Sequence, residues 1–357
     1  MYERVVVKVG TQVLSTGKGE LDLRVLKGLV AQIAEARSSG VEVVLVSSGA
    51  VGAGRSSLRP AHPRATENKQ VLAAVGQVRL MGAYAEAFAA HGELCAQVLA
   101  TKEDFRDKRH YLNMRTCFEQ LLASGVVPVV NENDVVATTE LLFTDNDELA
   151  GLVASQIDAD AVIIFTSVEG LLAGDPRDPR AEVVPEVTLA ELASRQKHVA
   201  PSKTAFGRGG MLTKFAVAKK LMTQGIAVHL ARGTRARVLR DILEGKGTGT
   251  RFVPERRSSA HKRRLAYSEG LSKGAIIVNA GAEALLRSNE RVMSVLPIGV
   301  VGVVGQFEKG DIIEVLGADK RPLGFGVAQY SAARARELKG VKRARPVIHY
   351  DHLFIGG

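Results

Sequence analysis

The sequence predicts an α/β protein in which a mainly parallel sheet lies between helix layers, followed by a smaller domain rich in β structure. Three observations lead to this prediction. The first 250 residues alternate apolar, β-branched runs with amphipathic helical stretches, as in parallel sheets that are covered on both faces. A cluster of Gly and Thr at residues 245–250 then interrupts the pattern. A length of 357 residues is also enough for about two domains.

The strands of the first domain are predicted where short runs of Val, Ile, Leu and Ala occur. They fall at residues 5–9, 41–46, 126–130, 161–165 and 226–230. Helices are predicted between these strands because apolar residues recur there at helical spacing, as Leu26, Leu29, Val30 and Ile33 do. The predicted helices fall at residues 23–36, 69–90, 111–123, 145–156 and 211–223.

The remaining residues form a different pattern, in which short β-type runs alternate with Gly, Asp and Pro turns and favour a small β-barrel-like domain. These runs fall at 275–278, 299–304, 312–315 and 324–330. We therefore predict a first domain at 1–250, a basic linker at 251–267 and a second domain at 268–357. Residues 251–357 contain 18 Lys and Arg and 10 Asp and Glu, a net +8 of the total +10. This charge fits either a polyanionic partner such as RNA or a solvated surface.

Composition excludes several classes of protein. Hydrophobic residues make up 46% of the chain and charged residues 24%, which is the balance of a globular protein rather than a disordered one. No apolar run approaches the roughly 20 residues of a membrane span. The first residues lack the apolar segment of a signal peptide, so we expect a cytoplasmic protein without membrane attachment. Cys95 and Cys117 have no redox or metal-binding spacing, and we expect both to be reduced core residues.

Two strand ends are candidate phosphate sites. The first strand continues as Val9-Gly10-Thr11 after Lys8, and the second as Ser48-Gly49-Ala50. Because the carboxyl ends of parallel strands face the ligand crevice, Lys8 would point into it and the glycines would let backbone N–H groups approach an anion. Glycine-rich turns of this kind also occur for structural reasons alone. The sequence contains no GxxxxGK[ST], which excludes a P-loop protein.

Two clusters of acids and amides follow the predicted strand 126–130 and open the helix after it. They are Asn131-Glu132-Asn133-Asp134 and Thr144-Asp145-Asn146-Asp147. Helix capping would explain one of Asp145 and Asn146, but it does not explain two such clusters. At the carboxyl end of a strand they form a socket for an α-ammonium group, and Asp147 is well placed to hold lysine side chains.

A third glycine-rich turn, Gly207-Arg208-Gly209-Gly210, leads into a helix that begins with Met211-Leu212-Thr213-Lys214. A lysine in the first turn of a helix opposes the helix dipole, at a cost of about a few tenths of a kcal/mol. An anionic ligand at this position would reverse that cost, so the pattern favours a binding role.

Together these motifs resemble those of the glutamate 5-kinases, a family of the amino-acid kinase superfamily, and they occur in the same order over nearly the whole first domain. Residues 294–299, 310–311 and 324–326 are similar to the PUA domain that many bacterial members carry. The resemblance implies an amino-acid-kinase-like sandwich with a C-terminal PUA domain. The matching segments are Lys8–Thr11, Ser48–Ala50, 69–77, 128–134, Asp145–Asp147, 169–171, 175–177 and 209–214.

The resemblance also implies roles for individual residues. Lys8 and Lys214 would neutralise charge on the transferring γ-phosphoryl group, and Asp147 would orient both ammonium groups. The implied glutamate-binding residues are Ser48, Asn131, Asp134, Asp145 and Asn146. The implied nucleotide-binding residues are Lys8, Gly10, Thr11, Gly49, Thr166, Ser167, Gly209, Gly210, Met211, Thr213 and Lys214. No residue is expected to bind a resident metal, since Mg²⁺ would bridge the phosphate oxygens of ATP.

Two positions depart from the family pattern. Ser167 stands where the family has Asp, and Arg208 where it has a small residue, and both would contact ATP. The implied partners are L-glutamate, proline as a feedback inhibitor, RNA bound through the PUA domain, further copies of the chain in a homo-oligomer, and glutamate-5-semialdehyde dehydrogenase as a channelling partner. The alternatives are a kinase for N-acetylglutamate, aspartate or a nucleoside monophosphate, and a catalytically weakened, RNA-binding relative.

Overall fold

The structure is a computed structural model. It describes residues 2–16, 19–58, 68–137, 143, 145–173, 181–196, 210–254, 272–288 and 293–355. The chain divides into two compact units. The first comprises Met1–Lys102 and Met114–Arg257, and the second comprises Glu103–Asn113 and Ser258–Gly357. Among the described residues, no helix is long and apolar enough to cross a bilayer.

The first unit is built on an eight-stranded sheet. Its strands are β1 Arg4–Val9, β2 Glu42–Ser47, β3 Leu94–Ala100, β4 Val126–Glu132, β5 Ala161–Thr166, β6 Glu186–Val187, β7 Ala227–Arg232 and β8 Thr250–Phe252. In space they follow the order β3-β4-β2-β1-β5-β7-β8-β6. Neighbouring strands are parallel, apart from the antiparallel pair β7 and β8. The predicted mainly parallel sheet is therefore confirmed.

Helices connect these strands, and every predicted helix and strand of the first domain is present with its ends shifted by at most three residues. The α-helices within the described residues are α1 Thr11–Leu14, α2 Leu23–Ser38, α3 Ala50–Ser57, α4 Lys69–Ala89, α5 Lys102–Arg106, α6 Lys108–Ala123, α7 Asn146–Gln156, α8 Leu189–Gln196, α9 Met211–Met222, α10 Val238–Leu243, α11 Ala280–Arg287 and α12 Ala332–Glu337.

Helices cover both faces of the sheet, and the alternation within β1 decides where Lys8 points. Val5, Val7 and Val9 belong to the buried core that α2, α4 and α10 complete on one face. Lys8 therefore projects from the opposite face, where α7 and α9 pack. Strand periodicity alone brings this lysine to the helices that contain Asp147 and Lys214.

Helices α3 and α4 cross in direct backbone contact at two glycines. A Cβ atom added at Gly76 would lie 1.7 Å from the carbonyl oxygen of Ala50, and one at Gly54 would lie 1.9 Å from that of Leu72. No side chain fits at either position. The segment after β2, which the sequence suggests is a loop of small residues, is therefore a helix whose glycines serve close packing.

Two expectations need correction, and a third cannot be compared with the described residues. The predicted boundary after residue 250 falls inside β8, so 251 and 252 belong to the sheet rather than to a linker. The linker arginines at 256–264 lie outside the described residues. Cys117 is exposed on α6 and Cys95 is only partly buried, so neither is a full core residue, although both thiols are free.

The second unit contains a separate five-stranded sheet, consistent with the predicted β-rich domain. Its strands are β9 Gly274–Val278, β10 Val300–Gly305, β11 Ile312–Leu316, β12 Pro322–Ala328 and β13 Ile348–Ile355, in the spatial order β10-β9-β11-β12-β13. Most neighbours are antiparallel, and β9 and β11 are parallel. Its core includes Ile276, Ile313 and Val315, all fully buried. The four β-type runs predicted from the sequence correspond to β9–β12.

Candidate active site

A cavity of about 810 Å³ opens at the carboxyl ends of β1, β2, β4 and β5. This is the edge of a parallel sheet at which ligands bind, because loops and helix N-termini converge there. The cavity is large enough for a nucleotide and a small acceptor. Its walls contain most of the residues singled out in the sequence: Lys8, Gly10, Thr11, Ser48, Gly49, Asn131, Asp134, Asp145, Asn146, Thr166, Ser167, Gly210, Met211 and Lys214.

Asp147 joins the two candidate catalytic lysines. Its Oδ1 lies 2.7 Å from Lys8 Nζ, and its Oδ2 accepts a hydrogen bond of 2.9 Å from Lys214 Nζ. The Asp147 side chain is fully buried, whereas the two lysine side chains are 8% and 11% exposed. Both lysines line the cavity and Asp147 lies behind them. Residues from β1, α7 and α9 thus form one buried ion cluster, which we call the Lys–Asp–Lys triad.

The charge state of Asp147 follows from these contacts. Burial by itself would raise the pKa of the Asp147 carboxyl, but the charges of Lys8 and Lys214 and their hydrogen bonds outweigh that effect and hold its pKa below the ordinary value. Asp147 is therefore ionised at neutral pH. It fixes the direction of both ammonium groups, as expected from the sequence.

Asp145 caps the helix that begins beside it. Its Oδ1 accepts hydrogen bonds from the backbone N–H groups of Asp147 and Glu148, at 2.9 and 3.1 Å. Its Oδ2 is buried and has no hydrogen-bond partner within the described part of the chain. Burial, followed by the charge of Asp147, raises the pKa of Asp145. The capping explanation is thus correct for one oxygen, and the other is a buried acceptor without a donor among the described residues.

The amides Asn131 and Asn146 form a network with Ser48. The Asn146 Nδ2 group donates to Ser48 Oγ at 2.9 Å and to Asn131 Oδ1 at 3.0 Å. Asn131 Nδ2 in turn donates to Gln77 Oε1 at 3.0 Å. These contacts hold the ends of β2 and β4 and the start of α7 in one arrangement, so three of the predicted acceptor-binding residues are brought together.

Glycines expose backbone at the start of three helices around the cavity. Gly10, Gly49 and Gly210 are the N-terminal cap residues of α1, α3 and α9, and none of them caps its helix through a side chain. Gly49 has φ 110°, a left-handed conformation that other residues rarely adopt. Helix N-termini with open N–H groups favour anions, and three of them converge on one cavity.

The predicted nucleotide residues fall into two groups. Thr166, Ser167, Gly210 and Met211 line the cavity, and Ser167 Oγ donates to Gln12 Oε1 at 3.2 Å. Thr213 is not in the wall, and its hydroxyl donates to the carbonyl oxygen of Gly210 at 2.8 Å, so it orders the turn instead. Residues 144, 208 and 209 lie outside the described residues.

The cavity also contains residues to which the sequence assigned no role. Lys69 Nζ lies 3.9 Å from Asp134 Oδ1. Lys69 belongs to the segment 69–77 that matches the family pattern, and this match was the signal that could have indicated a role for the residue. Arg55 and Gly52 lie on α3 and line the cavity. The small residues of this segment suggest a loop, so the helical spacing that places both residues on one face is not recognised from the sequence. Thr16 lies in a short hairpin, closed by the bridge between Ser15 and Leu21, that has no sequence signature of its own.

These groups together suit phosphoryl transfer to a small anion. Two cations held by Asp147 line the cavity, and the glycine turns at Gly10, Gly49 and Gly210 line it as well. The acidic and amide groups at the end of β4 and the start of α7 suit an ammonium group. No described residue is needed as a base if the acceptor is already ionised.

Comparisons with known proteins point the same way. The model of the amino acid kinase family matches residues 3–232, and the PUA domain model matches residues 274–350. Proteins called glutamate 5-kinase are similar over nearly the whole chain. That of Chlorobaculum tepidum is 48% identical, over 99% of this chain and 98% of its own length. That of Bacteroides thetaiotaomicron is 43% identical, over 99% of both chains.

Solved structures support the fold alone. A carbamate kinase from Giardia lamblia, bound to AMP-PNP, aligns with 71% of this chain and 99% of its own at a TM-score of 0.53 and 20% identity. A UMP kinase from Bacillus anthracis aligns with 71% of this chain and 97% of its own at a TM-score of 0.50 and 14% identity.

Proposed function

The chain belongs to the amino acid kinase family and, within it, to the glutamate 5-kinases, and from this premise we propose that it transfers the γ-phosphoryl group of ATP to the side-chain carboxylate of L-glutamate. The observation that supports this most is the Lys–Asp–Lys triad inside the cavity. The product would be L-glutamyl 5-phosphate, the first intermediate of proline synthesis.

The triad would act by electrostatics. Charge spreads over the equatorial oxygens of the phosphoryl group as it leaves ADP, and catalysis consists of positioning and charge stabilisation. Lys8 and Lys214 would contact those oxygens from two sides, while Asp147 keeps both ammonium groups in place. The nucleophile is a carboxylate that is already ionised at neutral pH, so no residue has to remove a proton.

Mg²⁺ would enter together with ATP and supply charge neutralisation between the phosphates. The described residues contain no group of three or more His, Cys, Asp or Glu side chains arranged to hold a metal ion. Mg²⁺ commonly keeps several waters and binds through substrate phosphates rather than through an all-protein cage. A magnesium ion of this kind would be held mainly by the phosphates of ATP.

The acceptor side of the cavity favours a free amino acid. Asp145 Oδ2 is a buried acceptor for which the described residues provide no donor, and an α-ammonium group would supply one. The network of Ser48, Asn131 and Asn146 offers further polar contacts to the same group. The acidic residues on this side of the cavity, Asp145 among them, would repel the phosphate of a nucleoside monophosphate. N-acetylation would remove the positive charge that Asp145 requires.

The test is ATP-dependent formation of an acyl hydroxamate in the presence of hydroxylamine, with L-glutamate, L-aspartate and N-acetyl-L-glutamate as acceptors. We expect L-glutamate to react at least about tenfold faster than either alternative. A preference for one of the other two would replace the acceptor in the proposal. Failure of all three would favour the weakened, RNA-binding relative.

Regulation by proline is part of the same proposal. Proline keeps the α-carboxylate and the ammonium group of glutamate but has no side chain to phosphorylate, so it would compete at Asn131, Asp134 and Asn146. The hydroxamate assay with added proline measures this competition. If saturating proline leaves the rate unchanged, the regulatory part fails and the kinase activity stands.

A further inference from the structure

One wall of the cavity contains polar groups that the mechanism above does not use. Thr16 Oγ1 is buried, and no residue that the structure describes forms a hydrogen bond with it. Arg55 also lines the cavity, and within the described part of the chain no carboxylate forms an ion pair with it. A buried hydroxyl and a guanidinium without partners are both donors, and donors at a ligand cavity favour an anionic ligand group.

Thr16 and Arg55 belong to neighbouring segments. Gly52 lies three residues before Arg55, so both are on one face of α3. A Cβ atom added at Gly52 would lie 2.9 Å from the carbonyl oxygen of Gly19 and 4.0 Å from Ser15 Oγ. The hairpin that contains Thr16 therefore packs directly on the face of α3 that presents Arg55.

The other cations of the cavity already have counter-ions. Lys8 and Lys214 share Asp147, and Lys69 lies 3.9 Å from Asp134. Among the described lining residues, Arg55 is thus the cation without a carboxylate counter-ion. The planar guanidinium group also matches a carboxylate better than an ammonium group does, because it can donate two parallel hydrogen bonds.

The position of Arg55 indicates that it would contact the acceptor rather than the nucleotide. Arg55 lies on α3, which follows β2 and Ser48, on the β2 and β4 side of Lys8. The predicted nucleotide residues Thr166 and Ser167 follow β5, on the opposite side of β1. An anion bound at Arg55 would lie beside the amide network and not beside the nucleotide turns.

We infer that Arg55, assisted by the Thr16 hydroxyl, binds the α-carboxylate of the amino-acid substrate and so determines substrate specificity. The inference rests on the proposed function, because it assigns one end of the proposed acceptor. The γ-carboxylate would then face the triad while the ammonium group faces Asp145. Binding at three points would explain how one of two carboxylates in the same molecule is chosen.

The test compares L-glutamate with its α-amide, isoglutamine, which keeps the ammonium group and the γ-carboxylate. Arg55→Ala is expected to lower kcat/KM for L-glutamate by about tenfold to a hundredfold, the range for one charge-assisted hydrogen bond, while the value for isoglutamine changes by less than about threefold. Arg55→Lys should recover part of the loss, and Thr16→Val should cause a smaller one. The KM for ATP should stay unchanged in all three variants.

Arg79→Ala is the matched control. Arg79 donates to Ser56 and Ser57 of the same helix at 3.0 and 3.2 Å but does not line the cavity, so both substrates should behave as in the unmodified protein. Equal losses for L-glutamate and isoglutamine in Arg55→Ala, or a raised KM for ATP, would overturn the inference. An unmodified protein that forms no glutamyl hydroxamate would instead refute the proposed function, and this inference with it.

Discussion

Asp147 shows why a buried charge can be read as functional. A carboxylate with no exposed surface costs several kcal/mol to desolvate, and two cations offset that cost only when the geometry is close. Hydrophobic residues would fill the same space with less risk to stability. Two lysines break local rules in the sequence, one in a buried strand and one in the first turn of a helix, and a buried carboxylate between them explains both.

Truncation of either lysine tests the triad. Lys8→Ala and Lys214→Ala should each lower kcat by at least about a hundredfold with little change in glutamate affinity, because the interaction strengthens mainly in the transition state. Each change also leaves Asp147 with one cation, so we expect a loss of about 3 kcal/mol in the free energy of unfolding. Steady-state kinetics and chemical denaturation measure the two effects. Turnover close to normal would remove that lysine from the mechanism.

Asp145 allows a prediction with opposite signs for stability and activity. Asp145→Asn keeps the helix cap but removes the buried carboxylate charge, so the free energy of unfolding at pH 7 should rise by about 1 to 3 kcal/mol. Glutamate turnover, expressed as kcat/KM, should fall by at least about tenfold because the ammonium group loses its charged partner.

The effect of Asp145→Asn on the free energy of unfolding should depend on pH. The pKa of Asp145 is raised in the folded protein, so the cost of its charge is present at neutral pH and disappears as pH falls through that pKa towards about 3.9, the unfolded value. The stability gain of Asp145→Asn should therefore shrink on acidification. Asp22→Asn is the control, since Asp22 caps α2 in the same way and does not line the cavity. A gain that persists at low pH would show that charge is not the cause.

At the scale of elements, the sequence predicts the helices and strands that have a clear apolar pattern of their own. The buried strands at 126–130 and 161–165 are recognisable because both of their faces need apolar residues. β3 could not be recognised: it is an edge strand, most of its positions are at least partly exposed, and Val98 is its only β-branched residue. α3 was missed for another reason, since its glycines lower helix propensity and only the contact with α4 explains them.

The helix crossing gives a prediction with a control on the same helix. Gly76→Ala would place a methyl group 1.7 Å from the Ala50 carbonyl oxygen, so α3 must move and the protein should lose about 1 to 3 kcal/mol of stability. Because α3 begins at Gly49, the KM for glutamate should rise as well. Gly82→Ala meets nothing within 4 Å and should stabilise α4 by about 1 kcal/mol. Thermal unfolding of both variants measures the difference, and equal behaviour would contradict the packing argument.

At the scale of the whole chain, the end of the first unit is set by β8 and not by the glycine cluster before it. Phe252 is buried and stacks edge-on against Phe215 of α9, with ring centroids 5.7 Å apart. Phe215 is the residue next to Lys214, so this contact supports the helix that positions one of the triad lysines. Sequence could not show this because a three-residue strand has no periodicity to read.

Two truncations distinguish the boundaries. A chain of residues 1–254 keeps β8 and should fold and phosphorylate glutamate, because every cavity residue lies before it. A chain of residues 1–250 lacks Phe252 and should lose about 3 to 5 kcal/mol of stability, the cost of removing a buried aromatic side chain. Circular dichroism and the hydroxamate assay measure both. A folded but inactive 1–254 chain would show that the second unit is needed for the chemistry.

A comparison of the 1–254 chain with the full chain tests the RNA partner that the family resemblance implies for the PUA domain. Residues 255–357, which the shorter chain lacks, contain 17 Lys and Arg and 10 Asp and Glu, a net charge of +7, so the 1–254 chain should bind a single-stranded RNA more weakly than the full chain, and with a smaller dependence on salt. Fluorescence anisotropy at several salt concentrations measures both quantities. Equal binding by the two chains would locate any RNA contact in the first unit.

The pairing of Asp147 with two lysines also has a consequence for proton balance. The glutamate carboxylate attacks the γ-phosphorus of ATP, and ADP leaves. The negative charge that ATP loses in this step is found on the acyl phosphate, so no proton is released. Asp147 stays ionised through the neutral range because the pKa of its carboxyl is held below the ordinary value. The role proposed for the cluster therefore requires no change in the protonation of Asp147 during turnover.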